Sequence, residues 1–418
     1  MTLCTSCYLS SELPYVRIGK DGKCNFCNAY EKKWKNKDYE ASEKKLMKIF
    51  EEAKKNTTGK YDCIIPVSGG KDSSYVLYLC KEKYKLNPLA VNYDNGFQSE
   101  EARENINSLC EELGVDVRFT GNSWKLLKKV YSTLLKKTGE FCNACNLGIF
   151  ASVYRVAKKE NIPLIILGYS NKIETTPIYE NKRYCGEKLL IKTLQPEVSK
   201  EELKPFLMRH MTESGFFNPI CLPDYIDWNE NKIINTLKSI GWKGSDNRIE
   251  HVDCLAYPIT RYLKAIKHKC LKSTYVAAAM YRDNQISKEK LFEVFEKDKN
   301  IKVPENFEWF LKKLGLKMED IPLNGKSRFE FVSKKPFKAP SSLKGSLEER
   351  VRILTKLLSQ DLETDGGSID SIRLENDVLY VKIGGPCKSC YLKHVTLQRF
   401  IEQTIVDNIP EIREVIIE

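Results

Sequence analysis

Nowhere in the 418 residues does an apolar run approach the ~20 residues a helix needs to cross a bilayer. The opening residues, Met1-Thr2-Leu3-Cys4, lack the apolar core of a signal peptide, so the expectation is a cytoplasmic protein with no membrane partner. The pattern G-x-x-x-x-G-K-[ST] is missing, which excludes a Walker-type nucleotide loop. A disulfide framework is also disfavoured. The fifteen cysteines are odd in number, and CxxC pairs stand at Cys4/Cys7, Cys24/Cys27, Cys142/Cys145 and Cys387/Cys390. In a cytosolic chain that usage points to metal or sulfur chemistry. Charge is unbalanced at +12, mostly through lysine. That suits nucleic acid or a phosphorylated partner, and a lysine-rich proteome gives the same balance.

The chain is long enough for two or more domains, and its hydrophobic fraction of 42% is ordinary for globular protein. Its centre is Ile64-Ile65-Pro66-Val67-Ser68-Gly69-Gly70-Lys71-Asp72-Ser73-Ser74. An apolar run ends in a Gly-rich turn that opens into Tyr75-Val76-Leu77, which reads as strand, phosphate loop, helix. Two glycines and small hydroxyls let the backbone wrap an anion, with N–H groups at a helix N-terminus and Lys71 as a point charge. Strands follow over Pro88–Gly96, ending in Asp-Asn-Gly, Val115–Phe119 and Pro163–Gly168, separated by helical patterns. That alternation predicts an α/β fold with a doubly wound parallel sheet. Ligands of such sheets lie at the carboxyl ends of the strands, where the Ser68–Ser74 loop, the Asp94 turn and the Gly168 turn fall.

The order Ser-Gly-Gly-x-Asp-Ser resembles the PP-loop of ATP pyrophosphatases. The resemblance implies that Ser68, Gly69, Gly70, Lys71, Asp72, Ser73 and Ser74 hold ATP with magnesium, and that the Val91–Asp94 region and Gly168 line the pocket. It further implies that a substrate oxygen attacks the α-phosphorus, pyrophosphate leaves, and a nucleophile displaces AMP. Cys142-Asn143-Ala144-Cys145 begins a helix, where the dipole favours thiolates. Its place after the loop resembles PP-loop tRNA 2-thiolation enzymes. By that resemblance Cys142, Cys145 and one later cysteine bind a [4Fe–4S] cluster. Cys221 is the first choice for that third ligand, then Cys254, then Cys185. Sheet topology by itself is expected to leave this pair at the rim opposite the phosphate loop, unless a loop reaches back over the top edge.

A second resemblance runs over roughly residues 1–300. The N-terminal cysteine pairs, Ser68–Ser74, Asp94-Asn95-Gly96, Gly168–Glu174, Tyr225–Asn229 and Gly241-Trp242 through His251-Val252-Asp253-Cys254 are similar, in order, to the N-acetyl sugar amidotransferases. Cys142 and Cys145 depart from that family's pattern, and the C-terminal domain is an addition. His251, Asp253 and Cys254 read as a metal or catalytic cluster or as a turn with one buried cysteine. Glu174 reads as a magnesium or substrate ligand or as a surface carboxylate.

At the N-terminus, Cys4, Cys7, Cys24 and Cys27 flank a hairpin-like stretch and resemble a zinc ribbon, with an iron–sulfur centre or bare thiols as alternatives. At the other end, Asp365-Gly366-Gly367, a strand pair, Cys387-Lys388-Ser389-Cys390 at a helix start and Pro410–Val415 resemble the NifU C-terminal domain. That family holds a [4Fe–4S] cluster between two copies, which implies a homodimer, since two thiolates do not complete a four-cysteine site. The expected organisation is a zinc ribbon with lead-in helix at 1–40, the PP-loop domain with a helical lobe at 41–320, a linker at 321–343, and the NifU-like domain at 344–418. The expected function is ATP-dependent sulfur transfer to a small molecule or tRNA from a sulfur donor. The alternatives are amidotransfer to an N-acetyl sugar from an ammonia donor, and non-catalytic cluster carriage.

Overall fold

The computed structural model describes residues 1–174, 187–244, 253–268, 270–323, 343–363, 366–391, 393 and 398–418. Cys185, His251, Asp365 and most of the expected linker lie outside the described residues.

The longer helices are numbered in chain order. α1 (Asn25–Lys33) and α2 (Tyr39–Asn56) lead into β1 (Cys63–Pro66), α3 (Lys71–Tyr78), β2 (Pro88–Asp94), α4 (Glu100–Glu112) and β3 (Val117–Gly121). α5 (Trp124–Thr138), α6 (Cys142–Lys159), β4 (Leu164–Leu167), α7 (Glu187–Leu194) and β5 (Asn218–Cys221) follow. A helical segment then runs through α8 (Glu230–Ser239), α9 (Tyr257–His268), α10 (Lys272–Arg282), α11 (Lys288–Lys299) and α12 (Phe307–Leu314). The C-terminal unit comprises α13 (Leu347–Glu363), β6 (Ser368–Glu375), β7 (Val378–Gly384), α14 (Gln398–Asn408) and β8 (Glu414–Ile417).

The central sheet has the order β3-β2-β1-β4-β5, with every pairing parallel. Its strands are short apolar runs because both faces are covered. Ile64, Leu89, Val91, Ile165 and Leu167 join one core with α5 and α6. Cys63, Ile65, Ala90, Leu164, Ile166 and Ile220 join a second core with α2, α3 and α4. Neighbouring strand residues thus alternate between two cores, as the period of two requires. Strand order reverses between β1 and β4, so the loops that follow these two strands diverge and leave a crevice.

The C-terminal unit has its own core, in which Leu354, Leu358, Val381, Ile401, Ile405 and Val415 are buried. β6 and β7 form the expected hairpin, and β8 adds parallel to β7. One detail departs from expectation. Cys387 lies in a 3₁₀ turn, Gly385–Ser389, rather than opening a helix. Gly385 adopts φ +62 and Pro386 follows it, which favours a tight turn over a continuous helix.

Candidate active site

The loop after β1 is fastened from behind. Gly69 has φ +83 and lies against the first turns of α4. A Cβ there would stand 2.8 Å from the Cα and carbonyl carbon of Ala102, and closer still to its oxygen. Trp242 Nε1 donates to the Gly69 carbonyl at 3.0 Å. Gly70 is the N-cap of α3 and supplies no side-chain cap, so no side chain of the cap residue competes for the N–H groups of the first turn. Ser73 Oγ donates to the Gly70 carbonyl at 3.2 Å and accepts from the Ser68 N–H at 3.2 Å. Gly168, after β4, closes on the same helix. A Cβ on it would sit 3.1 Å from the Asp72 carbonyl carbon and oxygen. The two loops flanking the crevice therefore touch through backbone.

Lys71 Nζ lies 2.8 Å from Asp72 Oδ1 and 2.7 Å from Glu230 Oε2. Burial pushes the Glu230 carboxyl up to about 7, with Lys71 pulling against that rise. Burial also opposes the charge on Lys71, but Asp72 and Glu230 outweigh it and hold its pKa above the ordinary lysine value. The loop thus carries a firmly cationic lysine beside a carboxyl that titrates near neutrality. Glu230 heads α8, where its N–H donates to Gln285 Oε1 at 2.9 Å. Asp94 is half exposed. Its Oδ1 accepts from the Gly96 N–H at 2.8 Å, and Arg103 lies 3.8 Å from Oδ2. Glu174 pairs with Lys272 at 2.6 Å.

The segment 253–255 pairs with 97–99. The Ser99 N–H donates to the Asp253 carbonyl at 3.2 Å, and the Leu255 N–H to that of Phe97 at 2.8 Å. This pairing places Asp253 at the phosphate loop, where its Oδ2 lies 3.4 Å from the position of a Cβ on Gly70. Cys254 meets the Asn95 amide, whose Nδ2 is 3.8 Å from its Sγ. The same side chain neighbours Cys145 and opposes the rise of its pKa. Burial raises the Cys145 thiol above the ordinary range, and the neighbouring sulfurs of Cys254 and Cys142 add to the rise. Burial first, then Asp253, pushes Cys254 up to about 12. Cys254 and Cys145, from two distant segments, therefore neighbour the turn that ends β2, and Cys142 lies near enough to act on their charge. Thiols are a chemically suitable donor type for an iron–sulfur centre.

One expectation is corrected here. A helix that precedes a strand runs antiparallel to it, so its first turn lies at the carboxyl rim and only its last turn at the opposite one. α6 shows this, because Gly148 in its second turn rests on the hydroxyl of Tyr93 near the end of β2. No loop needs to reach back over the edge. Of the cysteines considered as third ligand, Cys254 neighbours Cys145 and Cys142. Cys221 is the last residue of β5, paired opposite Leu167 and buried in the core at 1% exposure. Glu230, Asn95 and Trp242 escaped sequence reasoning as site residues. Each is an ordinary polar or aromatic residue until the fold brings it to the loop.

At the N-terminus the Sγ atoms of Cys4, Cys7, Cys24 and Cys27 lie within 4.8 Å of one another, all buried. Cys4–Cys27 and Cys7–Cys24 are each 3.6 Å apart. A single tetrahedral ion with metal–sulfur bonds near 2.3 Å sets sulfurs roughly 3.8 Å apart, so the donor set fits one metal ion. Arg282 in α10 donates from Nε to Cys27 at 3.2 Å and from Nη2 to Cys7 at 3.6 Å, which favours the thiolate forms. In the C-terminal unit Cys387 is half-buried and Cys390 buried, and Gly367 lies directly against the Cys387 sulfur. Among the described residues no helix is long and apolar enough to cross a membrane.

The family model described as NAD synthase matches residues 44–182, and the model described as NifU-like domain matches residues 351–416. An uncharacterized protein of Methanocaldococcus jannaschii is 35% identical over 167 residues, covering 40% of this chain and 58% of its own length. The Fe/S biogenesis protein NfuA of Blochmanniella pennsylvanica is 38% identical over 72 residues, 17% of this chain and 37% of its own. The chain thus spans less than two thirds of the curated relatives it matches. Among solved structures, the NMN synthetase of Francisella tularensis aligns with 12% identity and a TM-score of 0.34, over 65% of this chain and 100% of its own. The chain joins an NAD-synthase-like PP-loop domain of the ATP pyrophosphatase type to a C-terminal NifU-like domain.

Proposed function

We infer that this chain is an ATP-dependent, iron–sulfur-dependent sulfur transferase. The observation that carries the reading is the Asp253-Cys254 dipeptide. It sets a carboxylate at the phosphate loop and a thiol beside Cys145, so the activating and sulfur-handling groups are adjacent. In this reading the backbone of Ser68–Ser74 cradles the phosphates of ATP with magnesium, and Lys71 offsets charge on the departing pyrophosphate. A substrate oxygen attacks the α-phosphorus and leaves an adenylated acceptor. Cys142, Cys145 and Cys254 would hold a [4Fe–4S] centre, which would supply iron to bind sulfide. Asn95 orients two of those thiols, and the buried pair of Lys71 and Glu230 fixes the loop.

Cys4, Cys7, Cys24 and Cys27 hold a structural zinc, since four protein thiolates leave no open position. Cys387 and Cys390 hold a cluster between two copies and supply iron–sulfur units in cis. The acceptor is a small molecule or tRNA.

The test is the mass of the product formed with ATP and isotopically labelled sulfide or ammonia. Sulfide-derived mass supports the reading, whereas ammonia-derived mass turns it to amidotransfer. Absence of pyrophosphate release leaves only cluster carriage. Lys71→Ala and Asp72→Ala abolish pyrophosphate release while the chain stays folded. Turnover to AMP at the parent rate in either variant removes the loop assignment.

A further inference from the structure

The CxxC turn of the C-terminal unit is partly covered, with Ser389 and Cys390 buried and Lys388 exposed. It is seated on α6, the helix whose first turn carries Cys142 and Cys145. Tyr154 Oη donates to the Ser389 carbonyl at 2.7 Å, inside the Cys387–Cys390 turn, in a buried position. One turn earlier on the same face, the Phe150 ring stacks on Tyr391, with centroids 3.3 Å apart and planes within 9°. Cys390 and Tyr391 are buried as members of the PP-loop domain's own core, together with Tyr154 and Phe217. The unit is held at a second place, where α14 meets the N-terminal cysteine unit. Lys33 Nζ lies 2.8 Å from Glu402, and Arg17 2.5 Å from Asp407.

Two observations argue that this seat is not where the pair carries a cluster. The first is reach. Tyr154 is nine residues beyond Cys145, roughly 14 Å along the helix at 1.5 Å per residue, so the two cysteine groups do not share one cubane in this arrangement. The second is completeness. Cys387 and Cys390 supply two thiolates where a four-cysteine cluster needs four. One of the two sulfurs that a second copy's pair would have to meet, that of Cys390, is buried within this seat. The seat also leaves the Ser389 hydroxyl oxygen buried with no hydrogen-bond partner. A buried orphan of that kind opposes docking and is relieved when the turn meets water.

We propose that the Phe150–Tyr154 face of α6 is a cap for the C-terminal CxxC turn, so that docking in cis and cluster acquisition between two copies exclude each other. The capped form is the empty form. Loading requires the C-terminal unit to leave α6, and a second copy of this chain is the partner that the exposed turn fits. The cap reading stands on geometry, while the loading consequence rests on the cluster role assigned to Cys387 and Cys390 above.

The full chain, reduced and anaerobic, is labelled with a thiol alkylator and analysed by mass spectrometry, with the core thiol of Cys63 as internal reference for folding. Phe150→Ala removes the half-buried stacking partner, and Lys33→Gln separately weakens the α14 contact. Each is expected to speed labelling of Cys390 relative to Cys63, by about two- to tenfold for Phe150→Ala, the range an aromatic pair supports. After reconstitution with ferrous iron and sulfide, Phe150→Ala is expected to show a larger dimer fraction and more iron than the parent. Adding Cys387→Ser should abolish that gain. Unchanged Cys390 labelling in both variants overturns the cap. Parent chain that reconstitutes a Cys387-dependent dimer as fully as Phe150→Ala overturns the exclusion. Faster labelling with no Cys387-dependent iron in any variant overturns the proposal through the cluster assignment, and so is distinguishable from a failure of the cap.

Discussion

Gly69 and Gly70 are adjacent, yet alanine at each should do opposite things. Gly69 sits at φ +83, a region that costs a side-chain-bearing residue about 1–2 kcal/mol. Its Cβ would also meet the backbone of Ala102 at 2.8 Å, and helix backbone does not rotate away as a side chain does. Overpacking of that kind costs about 1–3 kcal/mol, so Gly69→Ala should destabilise by about 2–5 kcal/mol. Gly70 has φ −76, and its Cβ would meet only the side-chain atoms Ser68 Oγ at 3.3 Å and Asp253 Oδ2 at 3.4 Å. Replacing glycine by alanine at a compatible backbone stabilises by about 0.4–1 kcal/mol through the unfolded chain, enough to offset the crowding. Gly70→Ala should therefore unfold at nearly the parent urea midpoint, while its methyl group occupies the concavity meant for phosphate. Both variants should lose pyrophosphate release, and only Gly69→Ala should lose stability. A parent-like midpoint for Gly69→Ala would refute the packing of the loop on α4. Parent-like ATP turnover by Gly70→Ala would refute the phosphate cradle.

Other outcomes follow from the remaining sites. Cys254→Ser should lower the iron bound by the PP-loop domain in a Cys387→Ser background, and Cys221→Ser should leave it unchanged; elemental analysis after anaerobic reconstitution decides. Cys24→Ser should release one metal ion per chain and destabilise the N-terminal unit, because binding free energy there is folding free energy; metal content and protease resistance report both. Glu230 has a folded pKa of about 7, above its ordinary 4.5. Its contribution to stability is therefore complete below about pH 4.5 and is lost as pH rises through 7, the unfolded chain releasing that proton first. Glu230→Gln should flatten this part of the stability–pH curve, and urea midpoints measured from pH 4.5 to 8 that fall in parallel for parent and variant would contradict the assignment.

The sheet was readable wherever burial makes a strand uniformly apolar, as in β1, β2 and β4. β5 was not, because Asn218-Pro219-Ile220-Cys221 is short and contains a proline, which ordinarily argues against a strand. It survives as the edge strand, where the missing N–H costs no internal pairing. β3 begins at Val117, two residues beyond the expected Val115, since propensity does not mark where pairing with Ala90 begins. The phosphate loop could be read because its chemistry is local, with glycines, hydroxyls and a lysine in one run. The partners of that loop could not. Glu230 meets Lys71 and Trp242 meets Gly69 only through the tertiary fold. The choice of Cys254 over Cys221 has the same cause. Both are single cysteines in apolar surroundings, and only the pairing of 253–255 with 97–99 distinguishes them.

That pairing also makes the two halves of the site a matter of counting. In an extended segment successive side chains point to opposite sides, so Asp253 and Cys254 serve opposite neighbours from Cα atoms about 3.8 Å apart. A slip of one residue against Gln98 would present a thiol to the phosphate loop and an apolar Leu255 to Asn95. The segment therefore acts as an index pin. Its side chains are interchangeable in space but not in chemistry, so the site tolerates movement of the whole strap and no change in its phase. Whatever shifts the carboxylate beside Gly70 therefore carries the neighbouring sulfur at Asn95 with it.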